Sequence, residues 1–314
     1  MAKSRRGFLK TAGAVGAGAA IPCEAEYSPE PPAPPDTVEP AGPIPKVRLG
    51  KYEISRLIVG ANPFYGYSHF NQLFSQHMVE WATPEHVIGT LRECERQGIN
   101  TWQFSHNERS VSDIKRYRAE GGSIQWLLLG SREMEDNLDL IGKLAAMKPI
   151  GIVHHGGAAE RRWRNGELGK VREFLQRVRD SGAMAGLSVH NPKLIDLVES
   201  QNWDIDFYMT SLYYLTRSND EFTALLGQRP VGEVYLPEDP PRMFATIRKT
   251  KRTCLCYKVL AAGRRVDSPK EIDAAFETTF ANIKPRDAII VGMYPKYTPQ
   301  VAENAARVRR ILKG

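Results

Sequence analysis

Cysteine is scarce in this sequence, and the four present give no sign of pairing. Cys23 lies near the N-terminus, Cys94 falls in a helical pattern, and Cys254 and Cys256 sit two apart in a strand pattern, pointing the same way. That excludes a disulfide framework; an oxidising compartment is tolerated rather than exploited. No apolar run is long enough to span a bilayer as a stable helix. A nucleic-acid surface is also excluded. The net charge is +7, but Lys3, Arg5, Arg6 and Lys10 carry four of those charges, and no basic stripe with interleaved aromatics follows. There is no Walker loop, no GxSxG, no HxH or HExxH spacing, and no pair of carboxylates at strand ends in a glycosidase context. What remains, 42% hydrophobic and 25% charged residues over 314 positions, is ordinary globular material for one large domain or two small ones.

The N-terminus has its own logic. SRRGFLK, residues 4–10, is a twin-arginine motif followed by the weakly apolar run TAGAVGAGAAI. It resembles a Tat export signal, which implies the Tat machinery as a partner and folding before export to the periplasm or cell envelope, with no stable membrane span once the signal is removed. Ala17 and Ala19 supply small residues for cleavage; lipidation of Cys23 is disfavoured by Pro22. Residues 1–25 are therefore assigned to the signal. The proline-rich stretch 26–45 reads as an extended, solvated linker, and 46–314 as the folded domain.

From Lys46 one alternation repeats. Runs rich in β-branched and aromatic residues occur at 55–61, 100–105, 124–130, 150–155, 185–190, 207–212, 254–260 and 288–293, each followed by a helical pattern. Thr83, Ser268 and Thr298 each precede a proline and are expected to cap helices. Eight such units predict a closed (β/α)8 barrel, with the opening KVRLGKYEISRL as a hairpin across its floor. Chemistry then belongs at the C-terminal strand ends, and the seven histidines agree. His106, His154, His155 and His190 fall there, His69 and His77 lie in the loop after the first strand, and only His86 lies in a helix.

Alternation sorts the strand residues by face. Thr101, Gln103 and Ser105 are expected inside with Trp102 and Phe104 outside; Gly186, Ser188 and His190 inside with Leu187 and Val189 outside. Of the adjacent pair in GIVHHGG only one histidine can line the mouth, and Gly151, Val153 and His155 form the inward set. In CLCYKV the bulky set Leu255, Tyr257 and Val259 is assigned outward, which leaves Cys254, Cys256 and Lys258 facing the axis. A lysine there loses hydration unless a partner or ligand compensates, which makes Lys258 a candidate functional residue.

VRLGKYEISRLIVGAN, followed by ERQGINTWQFS, resembles the opening of the aldo-keto reductases. GLS at 186–188, VLAAG at 259–263 and IIVGMYPKYTPQVAENA resemble later family segments, in order, out to the C-terminus. The resemblance implies an NADP(H)-dependent barrel, with Ser188, Gly292 and Asn304 near the cofactor. The catalytic tetrad departs from the family: its Asp corresponds to Gln103, its Tyr has no counterpart in SHNERS, its Lys corresponds to about Ser131, and only its His has a candidate, His155 or, second to it, His154. Without a polarised proton donor the family's hydride transfer loses its acid, so no cofactor is named.

The expected site is therefore a polar mouth with Lys258, His155, His190 and Gln103 as catalytic candidates. Asn62, Tyr65, Tyr67, His69, His106 and Ser188 are expected to contact a small-molecule, sugar-like or carbonyl substrate. Three mechanisms fit: acid–base or lysine chemistry on a carbonyl, retained redox chemistry, and a divalent metal on His106, His155 and His190. A non-catalytic binding barrel is the fourth reading. The aromatics of segment 62–82 suit a flat polar ligand, and equally suit packing of a long loop. Segment 216–241 is long enough to act as a lid.

Overall fold

The computed structural model describes residues 42–313; the signal and nearly all of the linker lie outside the described residues. A two-stranded antiparallel hairpin, β1 (Lys46–Leu49) and β2 (Tyr52–Ser55), opens the fold. Its turn falls at Gly50, whose φ of +59° is the left-handed conformation that glycine adopts at no steric cost. Eight parallel strands follow: β3 (Leu57–Gly60), β4 (Thr101–Ser105), β5 (Gln125–Leu129), β6 (Gly151–His154), β7 (Met184–Val189), β8 (Phe207–Ser211), β9 (Thr253–Tyr257) and β10 (Ala288–Gly292). They close in chain order, β10 pairing with both β9 and β3. All eight coincide with the runs read from the sequence, and the fold is a (β/α)8 barrel.

Helices cover the outside: α1 (Gln72–Trp81), α2 (Pro84–Arg96), α3 (Glu108–Ala119), α4 (Arg132–Asp136), α5 (Asp139–Ala145), α6 (Gly156–Arg164), α7 (Leu168–Asp180), α8 (Pro192–Ser200), α9 (Asn219–Leu226), α10 (Asp239–Lys249), α11 (Pro269–Asn282) and α12 (Gln300–Leu312). Thr83 and Ser268 cap α2 and α11 as expected. Thr298 does not cap α12: the position before that helix is Pro299, and no side chain bonds the first turn. Segment 62–82, read as a loop, contains a 3-10 turn at Asn62–Tyr65 and then α1, so His77 is helical. Segment 216–241 contains α9.

Alternation divides the core in two. Leu49, Ile54, Ile58, Leu127, Val153, Phe207, Met209 and Leu255 fill the barrel, with the two hairpin residues closing its floor. Trp102, Phe104, Ile152, Leu187, Val189, Cys254 and Cys256 pack outside against the helices. The inner and outer sets of β4, β6 and β7 follow the expected parity. β9 reverses it: Leu255 is inside, and Cys254 and Cys256 are outside. At Gly186 an added Cβ would stand 2.5 Å from the Phe207 ring, so the barrel interior fills from β8 only because β7 offers no side chain there.

Candidate active site

A cavity of about 1220 Å³ opens at the C-terminal end of the barrel. Its inner end is built from Gly60, Gln103, Tyr257 and Lys258. One wall is the 3-10 turn and α1, contributing Asn62, Tyr67, His69, Phe70, Phe74 and His77. The other runs from Val259 through Ser268 to Gly292, Thr298 and Asn304. The walls meet where the His77 and Tyr297 rings stack 6.3 Å apart and bond through Nε2 and the phenol at 2.9 Å.

Lys258 reaches the cavity by a route that alternation does not describe. It follows β9 with φ at +62°, a left-handed conformation uncommon outside glycine. That twist turns its side chain into the mouth although the strand parity would have sent it outward. Its Nζ is buried without a hydrogen-bond partner, and lies 5.9 Å from the centroid of the Tyr235 ring. Burial, opposed by the Glu233 charge and aided by that of Arg264, brings the amine down to about 8.

The residue before it, Tyr257, was assigned outward and in fact points into the barrel. Its hydroxyl lies 3.0 Å from Ser188 Oγ and 3.1 Å from His190 Nε2, and the two rings meet edge to face. Burial, with the charges of Lys258, His155 and His69, pushes His190 down to about 3, so its ring is neutral. The backbone N–H of His190 donates to the buried carboxylate of Glu160, and so does that of Asn191. Neither Tyr257 nor Glu160 was singled out from the sequence. The reversed parity of β9 hid the first, and the glycine-led start of α6 hid the second.

Above Lys258 the long segments are tied together. His69 Nδ1 lies 2.8 Å from the Glu233 carboxylate, and its Nε2 lies 3.1 Å from Asn62 Nδ2. Tyr235 donates to the same carboxylate at 2.9 Å. Burial opposes the charge on Glu233, but the bond from His69 and the charges of His69 and Lys258 hold it at about 2. Arg264 lies over the Tyr235 ring and donates to the carbonyl of His69 at 3.0 Å.

The structure thus gathers Lys258, Gln103, Asn62, Tyr67 and His69 around one cavity, with Gly292 and Asn304 at its far end and His190 behind Tyr257. Other candidates lie elsewhere. Tyr65 turns away and donates to the buried Asp113 at 3.0 Å. His106 bonds Ser131, the cap of α4, at 2.9 Å and is not part of the cavity wall. Ser188 is sealed under Tyr257 rather than open to a ligand. His155 stands exposed at the rim as the cap of α6, while His154 packs on Phe174 in the helix layer. The alternative of a metal on His106, His155 and His190 finds no site: among the described residues no three His, Cys, Asp or Glu side chains converge on an ion.

Residues 4–22 match the TAT (twin-arginine translocation) pathway signal sequence family. The chain carries a Tat signal. It is directed through that pathway to the periplasm or cell envelope, and no helix among the described residues is long and apolar enough to cross a membrane. No curated protein matches the chain in sequence. Solved structures do match its fold. The glycerol dehydrogenase AKR11B4 from Gluconobacter oxydans is 12% identical with a TM-score of 0.51, over 85% of this chain and 94% of that one. A truncated 3-deoxy-D-arabino-heptulosonate 7-phosphate synthase from Thermotoga maritima is also 12% identical with a TM-score of 0.51, over 86% and 92%. Identities this low establish the barrel fold alone and assign no reaction.

Proposed function

We propose that the cavity is the active site of an exported enzyme acting on a small, polar, carbonyl-bearing molecule, with the amine of Lys258 as the reacting group. The observation that carries this reading is the Lys258 nitrogen: buried, without a hydrogen-bond partner, and at the inner end of a cavity of about 1220 Å³. An unpaired buried amine costs free energy that a ligand would offset. At about pH 8 half of it is free base. Its lone pair then forms a C–N bond to the carbonyl carbon, the carbonyl π pair moves to oxygen and takes a proton, and loss of water leaves an iminium. The iminium withdraws electrons from a neighbouring C–H or C–C bond, which is the chemistry of isomerases and lyases. Asn62, Tyr67 and His69 line the path a polar substrate would take, and the faces of Phe70 and Phe74 suit a flat or sugar-like body.

The test is reductive trapping. Incubation of the mature protein with glyceraldehyde or pyridoxal and borohydride is expected to give one dominant adduct, mapped by mass spectrometry to Lys258 and lost in Lys258→Arg. Adducts spread over surface lysines, with Lys258 unmodified, would overturn the reading.

A second reading, NADP(H) binding, is favoured by the cavity running out to Gly292 and Asn304. The inner end does not fit it. Ser188 is covered by Tyr257, and Gln103 stands where the family has an acid, so a hydride step lacks that acid here. Titration of NADPH is expected to leave its fluorescence unchanged; a blue-shifted, enhanced emission would restore the redox reading.

A further inference from the structure

We propose that Glu160, His190 and Tyr257 form a proton relay ending in the cavity, and that Tyr257 is the acid–base residue working beside Lys258. The second half of this statement rests on the lysine reading above. Three elements supply the relay: α6 carries Glu160, His190 follows β7, and Tyr257 ends β9.

The carboxylate is fixed first. Glu160 Oε1 accepts from the backbone N–H of His190 at 2.6 Å and of Asn191 at 2.7 Å, and Oε2 accepts from the Thr216 hydroxyl. These bonds leave Oε1 3.9 Å from His190 Nδ1, in ion-pair range but too far for a hydrogen bond. Nδ1 is buried and has no other partner. The close approach depends on Gly156, where an added Cβ would meet His190 Nδ1 and the Ser188 backbone at 3.0 Å. A side chain there would push α6, and Glu160 one turn along it, away from the ring. At the other end Tyr257 bonds Nε2 and lines the cavity.

The relay places the proton on Nδ1, facing Glu160, so that Nε2 keeps its lone pair and the Tyr257 hydroxyl donates to it. The Ser188 hydroxyl in turn donates to Tyr257. Burial disfavours the imidazolium, so His190 holds a proton taken from the cavity only in transit. With an iminium on Lys258, the neighbouring C–H bond breaks, its pair forms C=C, and the C=N π pair returns to nitrogen as an enamine. The released proton goes to the Tyr257 oxygen while the proton already there passes to His190 Nε2. The imidazolium formed draws toward Glu160, and the reverse steps return the proton to either carbon. Tyr257 is the catalytic residue; His190 and Glu160 act through it.

The experiment has two readouts on the mature protein. Nitrogen-15 NMR of labelled histidine is expected to show His190 as the Nδ1–H tautomer near neutral pH; the Nε2–H tautomer overturns the relay whatever Lys258 does. Solvent deuterium exchange into dihydroxyacetone, beside borohydride trapping, reads the second half. Tyr257→Phe keeps the packing and is expected to slow exchange about 100-fold while the Lys258 adduct still forms. Exchange at the wild-type rate in that variant overturns the role of Tyr257. Absence of a Lys258 adduct from the wild type overturns the lysine reading and the role of Tyr257 with it, and the tautomer then decides the relay alone. Glu160→Gln is expected to shift the tautomer; should it fail to fold, Tyr257→Phe and the wild-type tautomer decide.

Discussion

A single dihedral angle places the residue on which the account depends. Alternation along β9 read correctly would have put Tyr257 inside and Lys258 outside, and neither position by itself explains an amine in the mouth. The left-handed φ of Lys258 puts both residues on one side, side by side at the inner end of the cavity. No pattern of hydrophobicity encodes such a twist, so the sequence put Lys258 at the mouth through the wrong face. Burying the amine has a cost in stability. The folded state lowers the Lys258 pKa from its ordinary 10.5 to about 8. Between those values the unfolded chain binds more protons, so stability rises with pH through that window and the penalty is full below it. Lys258→Met is therefore expected to raise the melting temperature at neutral pH, with the gain shrinking as pH approaches 10.5. A variant that melts lower than wild type at neutral pH would show that the amine has a stabilising partner.

Elements that escaped the sequence reading are those with weak internal signals. α1 buries only Met78, so its polar and aromatic residues show no core-facing period; its start is marked only by Asn71, which accepts from the Phe74 N–H at 2.8 Å. α6 begins with two glycines and is capped by a histidine, a residue outside the usual capping set. Both elements shape the site, and that is why the cavity wall and Glu160 were not legible while the strand-end histidines were. The segment spanning α9 is held at its base by the buried ion pair of Arg217 with Asp239, whose carboxylate also accepts from the Tyr214 N–H at 3.1 Å. Arg217→Ala leaves that carboxylate without its charge partner and is expected to cost about 3–5 kcal/mol by denaturant unfolding. Faster hydrogen exchange should be confined to residues 213–239. A change below about 1 kcal/mol, the size usual for an exposed pair, would mean the segment is anchored elsewhere.

At the scale of the whole molecule the sequence was most informative. Eight strands, their order and the hairpin floor follow from alternation, length and turn residues, because ring closure demands the same short buried strand eight times. Two buried histidines then tie stability to acid. Burial drives both His154 and His190 to about 3. Below their ordinary value near 6.5 the unfolded chain takes up protons that the folded one refuses, so stability falls as pH drops through that window. His154→Gln is expected to flatten the fall measured by denaturant titration between about pH 6 and about pH 4, and an unchanged slope would place the proton uptake elsewhere. Export is a property of the intact chain as well. Replacing Arg5 and Arg6 by lysine is expected to retain the protein in the cytoplasm on fractionation, and continued export would point to another route.

The account turns on an amine that is free of partners at the inner end of the cavity, and its titration tests that most directly. Carbon-13 NMR of the reductively methylated protein assigns the Lys258 resonance by its loss in Lys258→Arg. The account predicts that this resonance titrates near 8, well below the ordinary lysine value. A Lys258 resonance that titrates at the ordinary lysine value would contradict it.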